Sequence, residues 1–589
     1  MRKILLEQTF QRSVDALVAE YGGPMARDGL LEVWVFDDLA SRREAERELA
    51  RHGVRAHFRS AYKPLVHFFL EDVGDQPLAA VVVRYPSPTL SPRRFLLEAY
   101  PLAGLLGAGV TLTWEPVAVE AATTCYAYEV QLISTDGTVE KHSVAAPNRL
   151  HRDHVDILQL SPCGWVNWCS KAGERRDEPL CTDYEQLFKS AMEVVMGSEW
   201  PVEPLLFEEL NLRVVLPCQD TTLAYGGEHI SLAEGLHEDL YFSLLEYFQH
   251  CAGLPLGDRS IQPGQIVPEV LTRLGAEPSV IVTLQSLHIS ELPIPPDVPL
   301  DKADRPLSES QINTQIKALG QRTLCSHSRS GRQVVARYRP GSDRAVLISA
   351  AQHANETSGI VGALRAAAEL DKHAHAHFVI SPLENPDGYH LRQRLAAEQP
   401  SHMHHAARYT AFGNDLQAQP LGGGFEHAIR ERAIECSSAG LHVNLHGYPA
   451  HEWTRPLTGY IPRGFEMWTI PKGFFLIVRY REGWQQQARR LLEEVIQDLA
   501  NIPELVALNR RQVAAFEAHA GEFDFFILHD IPYLLIQDNA QLTPLMLITE
   551  YPDETVYGDA FTLAHEAQRA TILSAYTHYQ RLELPLELP

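Results

Sequence analysis

Four short runs in the second half of the chain constrain its fold most strongly, because each is strand-like in sequence and a candidate polar residue lies just past its end. Residues 345–350 are almost entirely apolar, which is typical of a strand buried on both faces of a parallel sheet. Apolar residues then recur at helical spacing over 357–370, which predicts an amphipathic helix. Open α/β sheets form their sites where such strands end. The other three runs are 378–381, 441–445 and 545–548.

The bulk properties of the chain narrow the classes of function. A chain of 589 residues is expected to form about two to four domains. Its net charge of −24 repels phosphate backbones, so we expect no nucleic-acid partner. No apolar run reaches the roughly 18 residues of a membrane span, so we expect no membrane partner. Acidic and polar residues interrupt the N-terminal segment and the eight cysteines are scattered, which predicts a cytoplasmic protein with free thiols.

Proline residues mark the clearest boundary in the chain. Four of them lie within residues 291–300, which predicts an extended connector. Earlier in the chain, residues 30–36 and 78–85 are predicted strands, and Pro86 is expected to stop the second one. We therefore predict three parts: a small α/β domain over 1–117, a middle region of mixed α+β structure over 118–303, and a C-terminal α/β domain over 304–589.

The polar residues that follow the apolar runs are of the types that bind zinc in hydrolytic sites. His353 and Glu356 follow the first run, and His446 follows the third. Two imidazoles and one carboxylate, with a fourth position left open, are typical of catalytic rather than structural zinc. Glu550 follows the fourth run and is placed to take a proton from water. The sequence therefore predicts one zinc ion per chain and an amide-cleaving enzyme.

The His-x-x-Glu pattern is weak evidence by itself, since it occurs three times in the chain. His288 and Glu291 run into the proline-rich connector, and His519 and Glu522 lie in a charged helical stretch. We predict that both pairs are polar residues of the surface. Three histidines within residues 402–405 are interpreted as a polar loop rather than a second metal site.

Taken together, several segments of the C-terminal part resemble the zinc metallocarboxypeptidases of the carboxypeptidase A type. The resemblance spans about the last 280 residues and none of the first 300. It implies an α/β/α sandwich around a mixed, twisted sheet. The segments that carry it are 353–356, 385–389, 407–416, 446–448 and the end of an apolar run at Glu550.

The resemblance also implies a role for each matching residue. His353, Glu356 and His446 correspond to the zinc ligands of the family. Asp415 corresponds to the carboxylate that hydrogen-bonds the free nitrogen of a ligand imidazole and so fixes its tautomer. Arg408 corresponds to the arginine that stabilises the oxyanion. The general base of the family corresponds to Glu550.

The sequence departs from the family pattern where the substrate is held. Gln417 and Ala418 stand where the family usually has an Asn-Arg pair that binds the terminal carboxylate. Gln417 can still donate hydrogen bonds and is predicted, with Tyr448, to contact the substrate, but Ala418 cannot form the bidentate contact of arginine. Asn355 replaces an arginine often found between the first two ligands. Relatives that cleave γ-D-glutamyl–diamino acid bonds are similar at both places.

Other residues are candidates for the two roles that the matching segments leave open. Arg394, Arg455 and Arg463 are candidates to bind the carboxylate of the substrate, and Tyr533 and Tyr551 are weak candidates for the family's mobile tyrosine.

Three hypotheses for function are left open. The first is a zinc-dependent peptidase that hydrolyses an amide bond at or near the C-terminus of a peptide. The second is a deacylase or amidase that acts on a small N-acyl amino acid or on a γ-glutamyl–diamino acid muropeptide. The third is a non-catalytic binding protein on a hydrolase fold, which retention of the ligands and of Glu550 disfavours. Residues 1–303 are expected to select substrate or to mediate oligomerisation, and the oligomeric state is left open.

Overall fold

The computed structural model describes residues 2–585 except for 108, 202–204, 288–291, 293–294 and 419–421. Within these ranges the chain forms a mixed α/β fold with five sheets. Residues 295–299 of the predicted connector form neither helix nor strand. Residues 291, 293 and 294 of the connector lie outside the described part. No described helix combines the length and the apolar character that a membrane crossing requires.

The first half of the chain alternates between strands and helices. Its strands are β1 Lys3–Thr9, β2 Leu30–Val35, β3 Arg55–Ser60, β4 Leu78–Pro88, β5 Thr111–Val119, β6 Thr124–Ser134, β7 Val139–Arg152, β8 Leu158–Pro162, β9 Gly164–Cys169, β10 Arg175–Leu180, β11 Glu209–Leu216, β12 Thr221–Thr222, β13 His229–Ile230, β14 Gln265–Thr272 and β15 Ser279–Gln285. Its α-helices are α1 Ser13–Tyr21, α2 Leu39–Arg51, α3 Pro64–Phe68, α4 Arg94–Glu98, α5 Leu102–Leu105, α6 Asp183–Met196 and α7 Leu232–Cys251.

Strand pairing links distant parts of this first half. The orders of its larger sheets are β1-β15-β11-β14, β10-β9-β2-β3 and β5-β4-β6-β7-β8, and β12 pairs with β13. Because β2 pairs with β9 and β4 pairs with β6, two of these sheets join strands from either side of residue 117. The predicted division at residue 117 therefore does not coincide with a break in strand pairing.

Pro86 does not stop β4 as the sequence predicts. The strand continues to Pro88 and stays paired with β5 over its last residues, where Pro86 lies opposite Val117. Pairing with β6 on the other side ends at Arg84. Proline is tolerated in a strand where its missing N–H faces no partner strand. Because β6 no longer pairs with β4 after residue 84, β4 can continue through Pro86.

The second half of the chain supplies the largest sheet. Its strands are β16 Arg322–His327, β17 Gln333–Arg339, β18 Val346–Ala350, β19 Phe378–Ser381, β20 Leu441–Pro449, β21 Phe475–Tyr480, β22 Phe526–Leu528, β23 Ile531–Gln537 and β24 Leu545–Glu554. Its α-helices are α8 Glu309–Lys317, α9 Ser358–Leu370, α10 Pro386–Ala396, α11 Ala428–Ser437, α12 Gln485–Leu499, α13 Pro503–Ala520 and α14 Asp559–Arg581.

All nine strands of this sheet come after residue 303, in the order β16-β17-β19-β18-β20-β24-β21-β23-β22. The four central strands β19, β18, β20 and β24 run parallel, which agrees with the prediction of a central parallel strand over 345–350. Antiparallel pairs on either side make the sheet mixed. The carboxyl ends of the parallel strands therefore lie side by side at one edge of the sheet.

Two separate apolar cores cover the faces of the nine-stranded sheet. Because side chains of a strand alternate between faces, Val346 and Ile348 of β18 contribute to the core that also contains residues of α9, α12 and α14. Leu347 contributes to the opposite core with Ile429 and Ala433 of α11. Helices thus lie against both faces, and the edge where the parallel strands end is left for polar residues.

Helix α7 joins the first half of the chain to the second through buried acidic side chains. Glu234, Glu238 and Glu246 are exposed by 4%, 0% and 5%. Arg455 Nη1 donates to Glu246 Oε1 at 2.7 Å, and His405 Nδ1 lies 2.5 Å from Glu238 Oε2. Buried acidic groups are tolerated where they have such partners. These contacts therefore fix the position of α7 against the second half.

Glu246→Gln should lower stability clearly, because it leaves the guanidinium of Arg455, which is 1% exposed, without its carboxylate. Breaking a buried ion pair by removing one partner costs roughly 3–5 kcal/mol. The matched control is Glu193→Gln, since Glu193 pairs with Lys189 at 3.7 Å on the surface, where a pair contributes about 0–1 kcal/mol. Urea unfolding midpoints measure both effects. Equal midpoints for the two variants would contradict this role of the buried pair.

Candidate active site

The ends of two neighbouring parallel strands carry the three predicted zinc ligands. β18 ends at Ala350, and the turn before α9 holds His353 and Glu356. The Glu356 N–H donates to the His353 carbonyl at 3.3 Å within this turn. β20 pairs in parallel with β18 and extends beyond it, so that His446 lies beside the turn. All three side chains are buried.

The donor atoms of these three residues converge on one point. Glu356 Oε1 lies 2.7 Å from His353 Nδ1, and Glu356 Oε2 lies 2.9 Å from His446 Nδ1. The two Nδ1 atoms are 3.2 Å apart. Two imidazole nitrogens and one carboxylate within this distance form a donor set that suits zinc.

Each imidazole is held by a further side chain on its other nitrogen. His353 Nε2 lies 3.3 Å from Asp415 Oδ1, and His446 Nε2 lies 2.9 Å from the side-chain amide of Asn444. Burial opposes ionisation of Asp415, but the adjacent His353 outweighs it and holds the pKa of Asp415 well below its usual range. Such partners orient the ring and raise its basicity as a ligand, so the surroundings of both histidines fit a metal site.

The Asn-Pro-Asp-Gly-Tyr segment packs beside the turn that carries His353 and Glu356, and it holds the backbone at Arg408. Asn385 caps α10 by accepting the N–H of Gly388 at 2.9 Å, and its Nδ2 donates to the Arg408 carbonyl at 3.3 Å. A Cβ atom at Gly388 would lie 2.6 Å from the carbonyl oxygen of Ala407, so only glycine permits this approach. Arg408 Nη1 then donates to Glu356 Oε1 at 3.0 Å.

Glu550 reaches the same place from the next strand. β24 runs parallel to β20, and Glu550 is the register partner of His446. Because strand side chains alternate between faces, Glu550 and Ile548 lie on one face, and both line the cavity beside the ligands. Removal from water raises the pKa of Glu550 well above its usual range, and the charge of Glu356 adds to this effect.

A cavity of about 160 Å³ lies beside this group of side chains. Trp453, Phe465 and Trp468 form apolar parts of its wall, and Arg259 contributes from the first half of the chain. Both halves of the chain therefore shape the space that a substrate would occupy. The predicted site residues that line the cavity are His353, Arg408, Gln417, His446, Tyr448 and Glu550.

Gln417 and Tyr448 meet the cavity in different ways. Gln417 is exposed, and its backbone N–H donates to Asp415 Oδ1 at 2.9 Å. The Tyr448 hydroxyl donates to the Gly473 carbonyl at 2.6 Å and accepts the N–H of Lys472 at 3.0 Å. The hydroxyl of Tyr448 is therefore already engaged by the backbone of residues 472 and 473.

None of the three arginines proposed as carboxylate binders is among the described residues that line the cavity. Arg394 pairs with Glu209 at 2.8 Å, and Arg455 and Arg463 each bond to Glu246. The described lining residues also include neither Tyr533 nor Tyr551.

Two other arginines, which the sequence reasoning missed, line the cavity in their place. Arg259 Nη1 lies 3.5 Å from Asp415 Oδ2, and its guanidinium lies 5.0 Å from the centre of the Phe465 ring. Arg479 belongs to β21, one residue before the end of that strand. Arg259 lies in a loop without any recognisable motif, so no local pattern in the sequence could have assigned it to the site.

A buried lysine next to the site was also missed. Lys472 is 0% exposed, and its Nζ lies 4.5 Å from the centre of the Trp468 ring and 5.4 Å from that of Tyr448. Burial lowers the pKa of Lys472 to about 7, although the charge of Glu550 opposes this shift. The signal in the sequence is weak: Lys472 lies within a few residues of Trp468 and Phe474.

The other two His-x-x-Glu pairs differ from His353 and Glu356. His519 is fully buried, and its Nε2 accepts the N–H of Ala103 at 3.1 Å. The prediction of a surface residue was therefore wrong for His519, because α13 packs this face against α4 and α5. His288 and Glu291 lie outside the described residues.

Comparisons with known proteins give likenesses at the level of structure alone. No family model matches the chain, and the search of curated proteins finds no match. A metallo-carboxypeptidase from Burkholderia cenocepacia is 16% identical, with 52% of this chain and 77% of that chain covered and a TM-score of 0.28. Bovine thrombin-activatable fibrinolysis inhibitor is 9% identical, with 46% and 94% covered and a TM-score of 0.28.

A murein-tripeptide amidase from Escherichia coli O157 is another similar structure. It is 12% identical, with 46% of this chain and 97% of that chain covered, and its TM-score is 0.24. In all three structures the matched region covers about half of this chain. Because these TM-scores are low, the function of the chain has to follow from its own site.

Asp415→Asn should weaken zinc binding, because the amide cannot accept the proton of His353 Nε2 as strongly as the carboxylate does. Loss of such a partner typically lowers metal affinity about 10–100-fold. The matched control is Asp258→Asn, which changes a partly exposed carboxylate of the loop that carries Arg259. Competition for zinc with a chromophoric chelator measures both affinities. Unchanged affinity in Asp415→Asn would contradict its contact with a ligand.

Proposed function

We propose that this chain is a zinc-dependent hydrolase that cleaves an amide bond at or near the C-terminus of a small peptide. One observation carries the proposal: two imidazoles and one carboxylate converge beside a cavity that Glu550 and Arg408 also line. Two His ligands and one Glu, with an open fourth position, are typical of metallopeptidases. We further propose that the nine-stranded sheet with its helices is the α/β/α sandwich that the sequence resemblance implies.

The ligand group and Glu550 divide the chemistry between them. When bound, zinc supplies a Lewis acid that polarises a carbonyl group and lowers the pKa of water. Glu550 accepts the proton of the attacking water and passes it to the leaving nitrogen, as general acid–base catalysis requires. Its position in register with His446 supports this role, because it holds the carboxylate beside the ligands on a rigid strand.

Arg408 is assigned to charge stabilisation. Its guanidinium donates to Glu356 and also lines the cavity, so it is within reach of negative charge that develops on the substrate oxygen. Donors that are held in place before the reaction stabilise such charge without reorganisation. The cap that Asn385 forms on α10, together with its bond to the Arg408 carbonyl, supplies that fixed position.

The substrate is proposed to be small and to carry a carboxylate. A cavity of about 160 Å³ accommodates a side chain or two rather than a folded protein. Arg259 and Arg479 add positive charge to its wall, and arginine binds carboxylates through a planar pair of donors. Arg259 is therefore proposed to take the role that Ala418 cannot fill, and the first half of the chain then takes part in selecting the substrate.

Four substrates, of which the first two share one amino acid sequence, distinguish the hypotheses for function. They are a peptide with a free C-terminus, the same peptide amidated, a γ-glutamyl–diamino acid peptide and an N-acyl amino acid. The proposal predicts cleavage of the free peptide and much slower cleavage of its amide. Fastest cleavage of either of the last two would move the assignment to an amidase or deacylase. Metal-loaded protein that cleaves none of the four would favour a binding protein.

Glu550→Gln should keep its metal and lose most of its turnover, since glutamine cannot accept a proton from water. General-base catalysis typically contributes about 10²–10⁴-fold. Glu554→Gln is the matched control on the same strand, because Glu554 accepts a bond from Asn355 at 2.8 Å and is absent from the described cavity wall. The measurement is kcat beside zinc content. Near-normal kcat in Glu550→Gln would assign the base elsewhere.

Arg259→Met should raise KM for the free peptide, because it removes the proposed donor to the carboxylate while keeping an unbranched apolar side chain. A hydrogen bond to a charged group contributes about 1.5–3 kcal/mol, which corresponds to roughly a 10–100-fold change in KM. Arg463→Met is the control, since Arg463 pairs with Asp153 and Glu246 instead. Equal losses on free and amidated peptides in Arg259→Met would show that it does not bind the carboxylate.

A further inference from the structure

A second group of two histidines and one glutamate lies between the two halves of the chain. Glu234 Oε2 lies 2.7 Å from His229 Nε2, and Glu234 Oε1 lies 2.7 Å from His451 Nε2. One carboxylate thus bridges two imidazoles, as Glu356 does in the candidate active site. The three donor atoms lie within 4.8 Å of one another in both groups.

Three separate elements bring these side chains together. His229 belongs to the short strand β13, and Glu234 lies in the first turn of α7. The Ser231 hydroxyl caps α7 and accepts the N–H of Glu234 at 3.1 Å, which fixes the start of the helix. His451 follows the end of β20, the strand that carries His446. The group therefore links the first half of the chain to the strand that supplies a predicted zinc ligand.

The group is largely removed from water. Glu234 is 4% exposed, His451 is 2% exposed, and the side chain of His229 is 9% exposed. Buried charged groups are usually paired or coordinate metals. Two imidazoles that share one carboxylate, with both donor nitrogens directed at it, provide the ligand types and the spacing that a divalent transition metal uses.

Further hydrogen bonds orient His451 and Glu234, as is usual for metal ligands. His451 Nδ1 lies 2.9 Å from Thr555 Oγ1, which directs Nε2 towards Glu234. Glu234 Oε1 also accepts the N–H of Met403 at 3.1 Å. Bonds of this kind to the second nitrogen of an imidazole and to a ligating carboxylate orient ligands in metal sites.

Asp220 and His402 form a second pair of possible ligands beside this group. His402 Nε2 lies 2.6 Å from Asp220 Oδ2, and the His402 ring stacks on the His229 ring with centres 5.9 Å apart. The other oxygen, Asp220 Oδ1, is buried and lacks a hydrogen-bond donor among the described residues. His402 also lines a separate cavity of about 220 Å³.

We propose that His229, Glu234 and His451 bind a second divalent cation of the zinc class, with Asp220 and His402 beside it as the outer pair. None of the three ligands is among the described residues that line the candidate active-site cavity, so the ion is assigned a structural role. It ties the start of α7 to the segment after β20. The site is independent of the catalytic role proposed for the first group.

Metal analysis of purified full-length protein and its variants tests this second site. The protein is produced in zinc-supplemented medium, purified without chelators, and its zinc content is measured by mass spectrometry. His451→Ala and Glu234→Gln should each lose one equivalent of zinc relative to the unmodified chain. His154→Gln is the matched control, since His154 pairs with the carboxylate of Glu246 at 2.9 Å without a second imidazole, and it should lose none.

Circular dichroism and gel filtration establish whether each variant is folded. If His451→Ala does not fold, Glu234→Gln still provides the test, because glutamine has nearly the same shape as glutamate. Zinc content in folded Glu234→Gln equal to that of the unmodified chain would overturn the second site. A loss of equal size in His154→Gln would also overturn it, because the effect would then be non-specific. His446→Ala reports on the first group separately: an unchanged content there contradicts the proposed function and leaves the second site standing.

Discussion

The carboxylate of Glu356 between two buried imidazoles is the contact on which the candidate site depends. It forms here because the turn after β18 lies beside the adjacent parallel strand β20, which extends past that turn. Arg408 bonds to the same carboxylate, and Glu550 follows from the register of β24 on β20. The nine-stranded sheet thus acts as a rigid frame that fixes polar groups at one edge.

The first half of the chain is tied to this frame by buried polar contacts and not only by the connecting segment. Acidic side chains of α7 meet arginine and histidine of the second half, and Arg259 reaches the wall of the active-site cavity. Because partners of buried charges are costly to remove, the two halves are held in one arrangement. The proposed selection of substrate by the first half rests on this geometry.

The sequence predicts the parts of the structure that have a local signature. The strands β18 and β19 and the helix α9 follow their apolar patterns closely, and β20 and β24 extend further than predicted. Contacts between distant segments decide the other features, which therefore have no local pattern in the sequence. They are the pairing of β2 with β9, the burial of His519 and the position of Arg259 in the cavity wall. His229 and Glu234 likewise become a group only when the fold brings His451 to them.

X-ray diffraction measured at the zinc absorption edge tests the central claim most directly. The account predicts an anomalous difference peak about 2.0–2.2 Å from His353 Nδ1, His446 Nδ1 and an oxygen of Glu356, with Glu550 facing it across the cavity. The peak should be missing from crystals of His446→Ala grown under the same conditions. Crystals of the zinc-loaded unmodified chain without density at this point would contradict the account.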